Sequence, residues 1–508
     1  MRVLPIIRVR IVWLVPLLLA GALQANFSLP QVLTDGMVLQ RDKPIRIWGK
    51  GKEGAEIKAW LNGQDGKTTV QKGRWSINFD PYQAGGPYEL TIQSGEKTQI
   101  IKDVLIGEVW IAGGQSNMQW SLSGSIHQRD AFMMRDNSRI RVFKQTRHSS
   151  ATPQFDTLPA KWMPSTSDNR KHWSAVAYWF AADLQKRLGV PVGLLINCDG
   201  GTKAQHWTPL ETFRKTAGFE SDLQEALTAK RTFESRRIKY EQDLATFINK
   251  RKRGEKTGPP PSYYGRVPSG YYNAMIHPIR KFSSRGVIWY QGEHNALTTR
   301  EAIAYRKYFP LMIKGWRDAF GDPNLPFLFV QLPRMSENNP RDVAALRESQ
   351  LHTDRTVAHT GMVVSVDVGK EVGLHPQLKK PIGLRLAKLA RGQIHGEKMP
   401  IVGPRFKEFS VEKAELTLRF DHLPSGLKTN DGNPPTEFTL CGSDKKFHPA
   451  QAKIMENSIV LSSKEVTEPV AARYCWRNEC FPNLFSKNGL PVEPFRTDAF
   501  ELPEKNPQ

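Results

Sequence analysis

Ser116 stands in the stretch AGGQSNMQW (112–120), where the apolar run VLIGEVWI gives way to two glycines and then to small polar residues. Three further apolar runs end in polar residues of complementary type. After PVGLLINC come Asp199, Gly200, Gly201 and Thr202; after RGVIWY come Gln291, Gly292, Glu293, His294 and Asn295; after GMVVSV comes Asp367, then a short loop to His375. Ligands of open α/β sheets bind beyond the carboxyl ends of the strands, so these four sets would share one edge. Each set alone is what any strand end offers, because small polar residues terminate strands generally. Together they supply a hydroxyl, a glycine-rich turn, an amide with a carboxylate, and an imidazole, which are the parts of acyl transfer. Ser116 would attack a carbonyl, and His375 would take its proton and return it to the leaving alcohol. The tetrahedral oxyanion would need donors: the amides of Ser116 and of Gly200 or Gly201, and the side chain of Gln291 or Asn295. Each such donor is typically worth roughly 3–4 kcal/mol in the transition state. Ser116 does not sit in the Gly-x-Ser-x-Gly elbow of α/β-hydrolases, which implies a different esterase architecture.

The elements that must position these residues follow from hydrophobic periodicity. The four runs and a further one, PFLFVQL, read as about five parallel strands buried on both faces. SAVAYWFAADLQKRLG opens on a capping Ser174 and closes on Gly189, and PIGLRLAKLARG carries Pro381 where a first helical turn tolerates it, so both read as helices. Alternating strands and helices predict a doubly wound α/β domain over residues 104–400. Within it, the charged segment 211–257 reads as a helical insertion, a hairpin peripheral to the chemistry. Residues 26–103 hold short alternating runs such as PIRIWGKG and GRWSINF and predict a β-sandwich-like domain; residues 401–508 return to short strands and predict a third, β-rich one.

At 39% hydrophobic and 10% aromatic residues, the composition excludes a disordered chain of this length. Residues 1–25 combine Arg2, Arg8 and Arg10 with the apolar core IVWLVPLLLAGAL, shorter than the ~20 residues of a spanning helix. They read as a cleaved signal peptide, which predicts export to the periplasm or the exterior, with no membrane span afterwards. Among the four cysteines, Cys475 and Cys480 are close enough in sequence for a local disulfide, whereas Cys198 and Cys441 read as buried thiols. No spacing fits a zinc or calcium site, so neither metal nor cofactor is expected. The net charge of +22 suits anionic partners, acidic polysaccharide among them. There is no nucleic-acid motif, so no nucleic-acid partner is expected, and no feature sets an oligomeric state.

The blocks GGQSNMQW, DGGTKAQHW, YNAMIHPI, GVIWYQGEHNA and LHPQLKKPIGLRLAKLA resemble those of the sialate O-acetylesterases, a family of SGNH hydrolases. LTDGMVLQRDKPIRIWGKG resembles that family's N-terminal β domain, and NLFSKNGLPVEPFRTDAF its C-terminal signature. The resemblance implies Ser116 as nucleophile, His375 as base, and Gly200 or Gly201 with Gln291 as oxyanion donors. It implies an O-acetylated sugar or polysaccharide as substrate, with no metal. Related xylan acetylesterases share the same core, so another acetylated polysaccharide is the alternative substrate. The chain departs from the pattern at three positions: Gly373 where the family usually has an Asp two residues before the histidine, His294 for a Ser or Thr, and Asp199 for an aromatic residue. Loss of the Asp removes the group that would orient the imidazole. By likeness to the xylan acetylesterases, Glu293 is the first replacement acid, with Asp367 and Glu371 next. If none of them serves, the alternative is a catalytically degenerate glycan-binding protein.

Overall fold

The computed structural model describes residues 27–255, 257–258, 261, 264–369 and 373–505. The segment read as a signal peptide and Glu371 lie outside the described residues. No described helix is long and apolar enough to cross a membrane.

The central sheet is built from β1 (Lys97–Gly114), β2 (Asn137–Lys144), β3 (Trp162–Ser165), β4 (Val192–Cys198), β5 (Gly286–Tyr290), β6 (Phe327–Val330) and β7 (Thr360–Val363), in the spatial order β3-β2-β4-β1-β5-β6-β7. All neighbours are parallel except β3, which runs antiparallel on the β2 edge. The five apolar runs are therefore strands, and β2 is a sixth parallel strand beyond the expected five. Its sequence NSRIRVFK breaks the apolar run with Arg141, which is 4% exposed and satisfied by the carbonyls of Gly36, Ser138 and Asp103.

The chain leaves β1 toward β2 and β4 on one side and returns to β5, β6 and β7 on the other. That reversal makes the carboxyl end of β1 the topological switch point, where such sheets bind ligands. Trp110 of β1 and Trp289 of β5 show that both faces are covered. Trp110 packs edge-on against Phe180 of the helix Ala175–Leu188, and Trp289 packs against Phe309 and Trp316 of the helix Thr299–Phe320. Each indole lies over a glycine of the neighbouring strand: a Cβ on Gly286 would come within 2.8 Å of Trp110, and one on Gly113 within 2.8 Å of Trp289. The first glycine before Ser116 is thus a packing requirement. Gly114 is a backbone requirement, with φ +134 and a Cβ position 2.2 Å from the Tyr290 carbonyl oxygen.

The first half of β1 belongs to a different layer. It pairs with Gly85–Ser94, which joins Glu56–Leu61 and Gln64–Thr69, and these strands face a second sheet of Phe27–Ser28, Ile45–Gly51 and Arg74–Phe79. One continuous strand therefore runs through the expected break at residue 103. Beyond residue 404 come two four-stranded sheets and a two-stranded one. The insertion differs from the expected hairpin. After a short helix, Leu210–Lys215, it is a single 33-residue helix, Glu220–Lys252, in which only Ala226 and Ala229 are buried. With so little of it packed, the sequence shows an apolar stripe only in fragments. All four cysteines are buried free thiols. The expected disulfide between Cys475 and Cys480 is not formed; the Cys480 thiol donates to the Cys475 carbonyl at 3.9 Å.

Candidate active site

At the carboxyl end of β1 the backbone turns into a four-residue helix, Ser116–Gln119, anchored where the Gln115 amide donates to the Tyr290 carbonyl at 3.0 Å. Ser116 occupies its first position. His375 arrives from the loop between β7 and the helix Lys380–Gln393, and its Nε2 lies 2.8 Å from Ser116 Oγ. Two residues 259 positions apart in sequence are thereby brought into hydrogen-bond contact at the switch point. The imidazole stacks on Trp120, with ring centroids 5.3 Å apart and planes 26° from parallel. Burial, then the positive charges of Lys379 and Arg341, push the His375 pKa below its ordinary 6.5. A lowered pKa favours the uncharged ring, whose Nε2 accepts from the hydroxyl when the proton sits on Nδ1.

Of the expected helper acids, Glu293 and Asp367 are among the described residues, and neither hydrogen-bonds to this ring. Glu293 is fully buried, and its Oε1 accepts from Asn117 Nδ2 at 2.5 Å. The same Asn117 amide donates to the Leu374 carbonyl at 2.9 Å, and its Oδ1 accepts from Lys379. Glu293 thus reaches His375 only through Asn117 and the adjoining backbone. Burial raises its pKa against the opposing pull of Asn117, Lys379 and Arg341. Asp367 is held by Arg385 in a two-pronged pair at 2.6 and 2.7 Å, the ordinary fate of a carboxylate beside a guanidinium. Among the described residues no carboxylate hydrogen-bonds or ion-pairs with either ring nitrogen of His375. Among the described residues nothing lies within 4 Å of the Cβ position of Gly373.

The two glycines after β4 separate in role. Gly200 lies against Ser116: its Cβ position is 3.3 Å from Ser116 Cβ, and its amide donates to Gln119 Oε1 at 2.9 Å. Gly201 turns away with φ +77, its Cβ position 2.7 Å from the Arg266 guanidinium. Gln291 and Asn295, expected to aim amides at an oxyanion, are internal ties instead. Gln291 Nε2 donates to the Thr202 carbonyl at 3.0 Å and to Asn295 Oδ1 at 2.8 Å, while its Oε1 accepts from the Tyr305 hydroxyl at 2.9 Å. Asn295 donates to Gln205 at 2.9 Å and accepts the Ala204 amide at 2.9 Å. The reason is burial: neither side chain is more than 1% exposed, and buried polar groups are held by internal partners. Together they fix the 202–205 loop, and so Gly200, against Ser116.

Several residues of the site escaped sequence reasoning. Asn117, Gln119 and Trp120 lie within the quoted motif but carry no reactive group, and Lys379 and Arg341 are two cations among 72. Arg266, on the return from the insertion, donates to the Gly200 carbonyl at 3.3 Å, so the insertion reaches the rim of the site. There His294 and Arg266 help to line a cleft of about 330 Å³. His294 is held neutral, its pKa lowered to about 4 by burial and by Arg341, Arg266 and Lys203. Among the described residues no group of three His, Cys, Asp or Glu side chains could hold a metal ion.

The family model of the sialic acid-specific acetylesterases, a carbohydrate esterase family, matches residues 260–390, the stretch that includes Glu293 and His375. The sialate O-acetylesterase of Rattus norvegicus is 27% identical over 502 residues, covering 89% of this chain and 90% of that protein. The human sialate O-acetylesterase is 26% identical over 525 residues, covering 92% of each. A crystal structure of a carbohydrate acetylesterase from Xanthomonas citri superposes with a TM-score of 0.81 at 33% identity, covering 93% of this chain and all of that one. A parallel α/β sheet with this likeness along nearly its whole length defines a carboxylic ester hydrolase. Within that class, the chain belongs to the sialate O-acetylesterase family of carbohydrate esterases.

Proposed function

We propose that this enzyme removes O-acetyl groups from sugars through a seryl–histidine pair, and that its sugar is a sialate-type or other acetylated glycan. The observation that carries the reading is the 2.8 Å contact between Ser116 Oγ and Nε2 of His375 at the switch point. Ser116 Oγ attacks the acetyl carbonyl as His375 Nε2 takes its proton. The same proton passes to the sugar oxygen as the C–O bond breaks, leaving an acetylated Ser116 and a free sugar hydroxyl. Water, deprotonated by His375, then releases acetate and restores the serine. The Ser116 and Gly200 amides receive the oxyanion, with the Gln119 side chain withdrawing from Gly200 as substrate enters. Glu293 is a positioning residue, holding Asn117 and through it the Leu374–His375 backbone. Trp120 and Asn117 take over the orienting that a carboxylate at position 373 would provide. No metal or cofactor enters the cycle.

A second reading of the substrate is an acetylated polysaccharide such as xylan; the 33% identity to a Xanthomonas citri protein described simply as a carbohydrate acetylesterase leaves the sugar open. In either reading residues 1–25 direct export to the periplasm or beyond, and residues 26–103 and 401–508 form domains flanking the catalytic one. The test is acetate release from a panel of acetylated sialic acids, xylan and other glycans, by wild type and Ser116→Ala. Release that depends on Ser116 is expected, and the preferred glycan names the substrate. Binding without release from any of them would put the degenerate glycan-binding protein in its place.

A further inference from the structure

A second cleft, of about 530 Å³, lies between the N-terminal strands and the loop that leads into β5. It stands at the opposite end of the sheet from Ser116. Ser284, in its lining, is two residues before β5 begins, whereas Ser116 follows the far end of the neighbouring parallel strand. The five residues of β5 alone separate the two levels by about 17 Å at the usual rise of a strand.

The lining carries four cations, Lys43, Arg46, Arg280 and Lys281, against Asp80 and Asp322. Asp322 is already taken by Lys43 at 2.7 Å. Arg46 is tied only to the neutral Asn78, at 3.0 Å, and Arg280 only to His277 of its own turn. Among the described residues neither these two nor Lys281 forms an ion pair. Arg74 adds its field from the adjacent strand. The crowding shows in the titration of the groups. Lys281 is depressed first by burial, then by Arg280, Arg46 and Arg74. His277 is driven to about 4 by burial and by Arg280, Arg74 and Lys281, against the pull of the Gln154 carbonyl. Ser284, 3% exposed, closes the base of the lining, and Asn78 is the one neutral side chain hydrogen-bonded to Arg46 there. Like charges are brought together at a cost unless an anion completes the set.

We propose that this cleft is a binding site for a segment of anionic glycan, one bearing carboxylate or sulfate groups, separate from the esterase centre. Arg46, Arg280 and Lys281 supply the charge. A carbohydrate esterase gains from such a site because a polymer held at one end of the sheet presents its acetyl groups to the other at raised effective concentration. Asp80 repels a second anion and limits the site to spaced charges.

The experiment compares dextran sulfate, polygalacturonate, unmodified dextran and an oligodeoxynucleotide by titration calorimetry. The proteins are the wild-type enzyme, Ser116→Ala, the double variant Arg46→Gln/Lys281→Gln, and Arg74→Gln. The two anionic glycans are expected to bind wild type and Ser116→Ala alike, with affinity falling as salt rises. Unmodified dextran is expected not to bind. The double variant is expected to lose at least tenfold in affinity, and Arg74→Gln a smaller factor, while both keep wild-type turnover of p-nitrophenyl acetate and an unchanged melting temperature. Equal affinity in the double variant, equal binding of unmodified dextran, or tighter binding of the oligonucleotide would overturn the proposal. Since Ser116→Ala retains this binding, failure of the esterase reading and failure of this one are read separately.

Discussion

Two sets of polar side chains stand at the carboxyl edge of the same sheet, and they differ in what their hydrogen bonds leave over. Gln291 and Asn295 are buried and tied to Thr202, Tyr305, Ala204 and Gln205. Ser116 and His375 are only partly buried, and their one mutual contact leaves the hydroxyl pointing at an acceptor. Gln291, with both amide hydrogens committed, cannot give a bond to a substrate without breaking one of its own. The second set gives up nothing when a carbonyl arrives. Polar residues at strand ends thus divide into scaffold and reactive groups according to whether their bonding capacity is already used.

The comparison is broken most sharply on its reactive side. Ser116→Ala and His375→Ala are each expected to lower kcat/KM by about three orders of magnitude or more, with melting temperature and circular dichroism unchanged. On the scaffold side the loss should fall on stability. Gln291→Ala strands the Tyr305 hydroxyl and the Thr202 carbonyl in the interior, and is expected to cost about 3 kcal/mol in urea unfolding. A smaller effect, of opposite sign, is expected at Gly373. Among the described residues nothing crowds its Cβ position, so Gly373→Asp should raise kcat by roughly three- to tenfold, the modest end of what orienting a histidine is worth. Smallest is the pH dependence. His375 acts as a base only when unprotonated, and its pKa lies below 6.5, so the acid limb of kcat/KM should fall below pH 6.5. Arg341→Gln removes one of the charges that depress it and should move the limb upward, toward 6.5, in a pH–rate profile.

The meeting of Ser116 and His375 was legible in the sequence, because each follows an apolar run and the sheet rules place such positions together. The scaffold set was legible in position but not in role. Whether Gln291 aims at an oxyanion or at Thr202 depends on burial in three dimensions, and no spacing reports it. Glu293 lies at the expected edge, but its hydrogen bond goes to Asn117 and not to the His375 ring, a partner choice that spacing does not report. The sixth strand was hidden by Arg141, a buried guanidinium that breaks hydrophobic periodicity while satisfying the strand-end carbonyls around it. The insertion was recognised as helical and charged, but a helix with two buried residues carries no signal of its length or of the loop that brings Arg266 back to Gly200.

The most direct test of the account is covalent labelling with a serine-reactive organophosphonate, followed by peptide mass mapping. The account predicts one adduct per chain, on the peptide that carries Ser116, formed in step with the loss of esterase activity and abolished in His375→Ala. Full turnover in enzyme completely labelled at Ser116, or inactivation by an adduct on another residue, would contradict it.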